Sequence, residues 1–127
     1  MDESSERDIA GLQGNWKQTG LEVDGVVDPP DSYGTDLRTT FAGDKFTVIA
    51  PDGTVVLAGS FTLDASTVPK SITWTDSMGE DIGKHLPAIY KLDGDDFVFI
   101  AGNEDKPRPQ VFATAEGQTM RTFRRVS

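Results

Sequence analysis

Leu12-Gln13-Gly14-Asn15-Trp16 near the start and Met120-Arg121-Thr122-Phe123-Arg124-Arg125 near the end decide how this chain folds. The first sets a Gly-x-Trp at the opening of a β-strand, and the second is a basic, aromatic strand. Such a pair of terminal strands fits a closed up-and-down β-barrel in which the first and last strands meet. The stretches between them support that reading. Trp16 to Val23 is followed by an Asp24-Gly25 turn, and the punctuation becomes regular from Leu37 onward. Leu37–Ala42, Lys45–Ala50 and Thr54–Leu63 are separated by Gly43-Asp44 and Pro51-Asp52-Gly53, which are hairpin signals. Ser71–Asp76, Leu86–Leu92, Phe97–Ala101, Gln110–Ala115 and Thr119–Val126 continue the series. The expectation is an all-β, antiparallel up-and-down barrel of about eight or nine strands, since closure removes the exposed edges of a sheet this large.

Alternation assigns the faces. Phe41, Phe46, Val48, Leu57, Phe61, Leu63, Ile72, Trp74, Leu86, Tyr90, Leu92, Phe97 and Phe99 share one parity, with Thr, Lys, Asp, Ser and Arg between them. These form the expected interior. Each contributes roughly 1.5–3 kcal/mol on burial, so a slip of one residue in register is strongly disfavoured. Residues 1–8 read as a flexible acidic tail, and residues 9–127 as one barrel domain. The apolar run between Asp8 and Gln13 is too brief for an independent helix. It reads as a single helical turn plugging one end. Asp28-Pro29-Pro30-Asp31-Ser32-Tyr33-Gly34 is the longest irregular stretch and a candidate lid, because its prolines cannot join a ladder.

Composition narrows the function. The 127 residues suffice for one core, and a net charge of −9 repels phosphate backbones and anionic headgroups. Nucleic acid and membrane are therefore not expected partners. With no cysteine, disulfides, zinc thiolates and cysteine nucleophiles are excluded. The acidic start lacks the basic and then apolar pattern of a secretory signal, so the cytoplasm is the default address.

Several stretches together resemble a bacterial, planctomycete-type domain family of unknown function with a lipocalin-like fold. They are Leu12-Gln13-Gly14-Asn15-Trp16-Lys17, Glu22-Val23-Asp24-Gly25, Phe41-Ala42-Gly43-Asp44-Lys45-Phe46, Gly59-Ser60-Phe61-Thr62-Leu63-Asp64, Ile89-Tyr90-Lys91-Leu92-Asp93-Gly94-Asp95 and Lys106-Pro107-Arg108-Pro109. The resemblance runs from about residue 9 to the C-terminus. It implies a lipocalin-like barrel and brings no activity, cofactor or catalytic residue. The wider lipocalin group implies one structural contact, in which Trp16 lies beneath Arg125, or Arg124 on the other parity. Such a cation–π contact is worth about 0.5–2 kcal/mol.

Chemistry-bearing motifs mostly reduce to turns. His85 is the sole histidine, and Gly79, Gly83 and Pro87 break any helix that would align it with Glu80 or Asp81 as metal ligands. Asp93, Asp95 and Asp96 surround Gly94 but run directly into Phe97, so a hairpin turn explains them better than a calcium loop. Gly79-Glu80-Asp81-Ile82-Gly83-Lys84-His85 lacks both the spacing and the hydroxyl of a phosphate loop. Glu22 and Asp24 share a strand face at the rim, with no catalytic partner evident. No enzyme, metal or cofactor is expected. The functional candidates are Gln18, Thr39, Trp74 and Tyr90 beside Phe41, Phe61 and Phe99, as polar groups in an apolar cavity that binds a small, largely apolar ligand. Each also reads as a satisfied core residue. A filled barrel serving as a protein-interaction module is the alternative.

Overall fold

The computed structural model describes residues 3–23, 25–28, 37–78, 82–102, 107–114 and 117–126, with backbone alone at 27 and 28. One helix, α1 (Glu3–Leu12), precedes nine strands: β1 (Gly14–Val23), β2 (Val26–Asp28), β3 (Arg38–Ala42), β4 (Lys45–Ile49), β5 (Val55–Asp64), β6 (Lys70–Asp76), β7 (His85–Asp93), β8 (Asp96–Gly102) and β9 (Gln118–Arg125). From β3 to β9 each strand pairs with the next, all antiparallel, and β1 pairs with both β3 and β9. The result is a closed eight-stranded antiparallel barrel, with β2 appended to the far half of β1.

Local chemistry explains the meander. The hairpins turn at Gly43, Gly53 and Gly94, whose φ values of 63°, 89° and 59° lie in the left-handed region that favours glycine. Gly59 meets a different demand. It pairs with Phe46 on β4 and Asp76 on β6, and a Cβ there would stand 2.2 Å from the Thr75 carbonyl oxygen and 2.7 Å from the Phe46 ring. Only hydrogen fits. The inward parity is as expected, and Phe41, Phe46, Phe61, Leu63, Ile72, Trp74, Tyr90 and Phe97 are buried in one cluster with Trp16 and Phe123.

Two expectations about the chain ends are corrected. The region expected to be a flexible tail is helical from Glu3, and α1 runs for 10 residues instead of one turn. Its support is tertiary. Ser5 is buried and its Oγ accepts the Ala65 N–H at 2.9 Å, while Asp8 Oδ2 accepts the Tyr90 hydroxyl at 2.6 Å and Lys70 Nζ at 2.9 Å. Packing thus stabilises a helix that would be marginal alone. Leu12, at its end, is buried in the barrel cluster. No helix among the described residues is long and apolar enough to cross a membrane.

The expected strand at Gln110–Ala115 is also corrected, because residues 110–114 join no ladder. β9 already occupies the free edge of β8, which leaves this segment no partner strand. It forms a strap outside the wall. Arg108 donates from Nη1 to the carbonyls of Ile72 (2.9 Å) and Ala88 (2.7 Å), and from Nη2 to Thr73 Oγ1 (2.8 Å). Lys91 Nζ lies 4.3 Å from the Phe112 ring centroid, and Thr114 donates from Oγ1 to Glu22 at 2.5 Å. By alternation Ile89 and Ile100 face outward from the barrel, yet they are 1% and 0% exposed. Their burial fits a second, external apolar layer on this side of the wall.

Candidate functional site

The barrel interior has two storeys. At the helix-capped end, Trp16 donates its indole N–H to Leu12 O at 2.8 Å, and the Arg125 guanidinium carbon lies 4.3 Å from the indole centroid. Arg125, not Arg124, takes this place. Its Nη1 donates to Gln13 O at 2.7 Å, its Nη2 to Gly11 O and its Nε to Asp95 at 3.0 Å, whereas Arg124 pairs with Asp96 on the outer surface. Phe41 meets Phe61 and Phe97 edge-on at 5.7 and 6.0 Å, and Tyr90 lies 6.1 Å from Phe97. These rings make a solid layer.

Trp74 roofs that layer. Its ring lies 4.8 Å from Phe99 and 5.3 Å from Phe46, and only 6% of the residue is exposed. Its indole N–H is buried with no hydrogen-bond partner among the described residues. Leaving such a donor unsatisfied costs about 1–3 kcal/mol, and native interiors rarely carry one without a water or ligand to receive it. Beyond Trp74 the inward-facing side chains become partly exposed. Val48, Leu57, Leu86, Phe99, Ala101, Gln18 and Arg121 are all half-buried, although each points inside the wall. This half is open to solvent.

The polar groups of the open half come from three sides. Gln18 on β1 accepts a hydrogen bond from Arg121 Nη1 of β9 at 3.1 Å. An irregularity in the β1–β9 register between Gln18 and Gly20 offsets the two strands beside this contact. Thr39 is buried on β3 opposite Trp16, and Asp76 is buried on β6, two residues beyond Trp74 on the same face.

Among the expected site residues, Gln18, Thr39, Trp74 and Phe99 therefore border the open half. Phe41 and Phe61 lie in the aromatic layer, and Tyr90 turns its hydroxyl to Asp8 at the capped end. Arg121 and Asp76 were missed by sequence reasoning. The signal for Arg121 was its place two residues before Phe123 in an alternating strand. The lid expected after Asp28 lies outside the described residues.

The remaining motifs take structural places. Thr75 Oγ1 and His85 Nδ1 lie 2.8 Å apart on the exposed surface, and Glu22 holds the strap. Asp64 accepts from the Ser66 hydroxyl and N–H at the β5–β6 connection, and these bonds hold its carboxyl below the ordinary value of 3.8. Among the described residues, no group of three or more His, Cys, Asp or Glu gathers to hold a metal ion. No protein-family model, curated protein or solved structure matches the chain, so the reading of the site rests on its own residues.

Proposed function

We propose that this protein is a non-catalytic binder that takes a small molecule into the open half of its barrel. The observation that carries the reading is the Trp74 indole N–H, a buried donor lacking an acceptor among the described residues, set under a concave wall of partly exposed apolar side chains. A ligand with a hydrogen-bond acceptor and an apolar body satisfies both at once. The aromatic layer below limits the depth of the site, so the ligand is small or enters only in part. The lipocalin-like resemblance fits this reading and adds no activity to it.

The test is a titration of ¹⁵N-labelled protein with small amphipathic molecules, preceded by native mass spectrometry of protein purified from its own host. The Trp74 indole resonance and amides of β4, β5 and β7 facing the open half should move, while the Trp16 indole, bonded to Leu12, stays in place. Shifts confined to the outer surface would refute the site. A second reading, a protein-docking module, draws on the exposed Val26, Val55, Val56 and Ile82 around the open end. Under that reading no small molecule co-purifies, and a partner protein perturbs those rim residues instead.

A further inference from the structure

We propose that the ligand of the open half is an uncharged carbonyl compound with an apolar tail, and that it enters carbonyl first, leaving its tail against the rim. The inference rests on the binding reading above and adds the chemistry of the head group and the direction in which it lies. The first observation is what the interior already satisfies. Among the described residues, the Trp74 indole N–H is the one buried side-chain nitrogen or oxygen without a hydrogen-bond partner. The charged groups of the inner face are engaged: Arg121 donates to Gln18, and both Arg121 and Asp76 hold further contacts. Among the described residues the interior thus calls for one acceptor and no donor.

That requirement discriminates among head groups. A carbonyl oxygen accepts the indole N–H and brings no donor of its own. An alcohol accepts the same bond but also takes a hydroxyl proton out of water, and burying an unmatched donor offsets the bond it gains. A carboxylate fares worse, because one neutral N–H replaces little of its hydration and the net charge of −9 opposes an incoming anion. An ammonium brings only donors to a site that already has one to spare.

The second observation is the rim, which sets the direction. Val26, Val55, Val56 and Ile82 stand exposed around the open end, and four apolar side chains about one opening suit a tail better than a polar head. Trp74 lies two residues before Asp76, where β6 ends, a distance of about 7 Å at the usual strand rise. The aromatic layer of Phe41 and Phe61, packed against Trp74 from below, stops the head at that depth. Leu86 is the cross-strand partner of Trp74, and Phe99 packs on its ring at 4.8 Å. Both are half-buried, and one of them turns aside to admit the carbonyl, since the indole N–H lies beneath the surface. A tail of several carbons then runs past Leu57 and emerges among the rim side chains.

Calorimetric titration of the whole chain with octan-2-one, octan-2-ol and octanoate tests this, with the Trp74 indole resonance followed in parallel. Octan-2-one should bind about tenfold more tightly than either of the others and move the Trp74 indole proton downfield. Nuclear Overhauser contacts should join its terminal methyl to Val55, Val56 or Ile82 and its acetyl methyl to Phe99; the reverse pattern overturns the direction of entry. Trp74→Phe should bring octan-2-one down to the affinity of octan-2-ol. Should that variant fail to fold, the wild-type indole proton decides: a downfield move with octan-2-one bound supports the carbonyl contact, and an unmoved proton overturns it. Equal affinity for ketone and alcohol, or tighter binding of octanoate, with the indole resonance shifted, overturns the head-group assignment while the pocket stands. No binding of any probe, with the Trp74 resonance unmoved, overturns the pocket and the assignment with it.

Discussion

Replacing Arg125 with Met keeps the aliphatic stem over Trp16 and removes only the guanidinium, which isolates what the charged fork does at the capped end. Three contributions are lost. The cation–π contact with Trp16 is partly solvated, with a quarter of the Arg125 side chain exposed, and is worth about 1 kcal/mol. The bonds to the Gly11 and Gln13 carbonyls satisfy acceptors at the C-terminal end of α1, where a cation also opposes the helix dipole; together they contribute about 2–3 kcal/mol. The Asp95 pair is largely exposed on the carboxylate side and adds about 0–1 kcal/mol. The sum is a loss of about 3–5 kcal/mol in urea unfolding, a large share of the stability of a domain this size. Arg124→Met removes an ion pair in which both side chains are more than 60% exposed, and should cost less than about 1 kcal/mol. Arg125→Lys keeps the charge without the fork and should recover less than half of the loss. If Arg125→Met and Arg124→Met unfold at the same urea concentration, the guanidinium does not join helix to barrel and the reasoning fails.

Gly59→Ala forces a methyl into the Thr75 carbonyl and the Phe46 ring, and a loss of about 2–4 kcal/mol in thermal or urea unfolding is expected; a neutral result would show that the β5–β6 spacing yields. Asp8→Ala breaks the bonds to both Tyr90 and Lys70, so amide exchange should rise in α1 while the barrel strands keep their protection; Tyr90→Phe, which leaves the Lys70 contact, should cost about 1 kcal/mol. Asp64 titrates below its ordinary 3.8, so its favourable bonds are fully present above pH 3.8 and are lost as pH falls through the lowered value; Ser66→Ala should move its carboxyl ¹³C titration upward toward 3.8, and an unmoved midpoint would remove Ser66 as the cause. Trp74→Phe discards an unsatisfied donor along with ring area, so without ligand it should lie within about 1 kcal/mol of wild type, whereas Trp16→Phe, which orphans Leu12 O, should cost clearly more in the same unfolding assay.

The barrel was legible because its information is local. Glycine at Gly43, Gly53 and Gly94 makes the hairpins, and strict alternation in β5 through β8 decides which rings turn inward. Parity even separates Arg125 from Arg124. What escaped depends on contacts between distant residues. Nothing near Ser5 or Asp8 announces that Ala65, Lys70 and Tyr90 will hold a helix there. The alternation of Gln110–Ala115 is that of a strand, and only the occupied edge of β8 makes it a strap. Arg121 was passed over because charge argues for solvent while register argues for the interior, and in β9 register prevails. Tyr90 was expected among the ligand groups because alternation gives the face of a side chain but not its height along the axis.

The short β2 leaves the sheet little edge to which another sheet could add. Among the described strands, its outer side is the one unpaired row of backbone donors and acceptors, and it spans only Val26–Asp28. The next two residues in the chain are Pro29 and Pro30, which have no N–H to offer a neighbouring sheet. Lateral growth into a fibril thus finds a template three residues long followed by a chemical stop, and the excess of negative charge keeps crowded molecules apart.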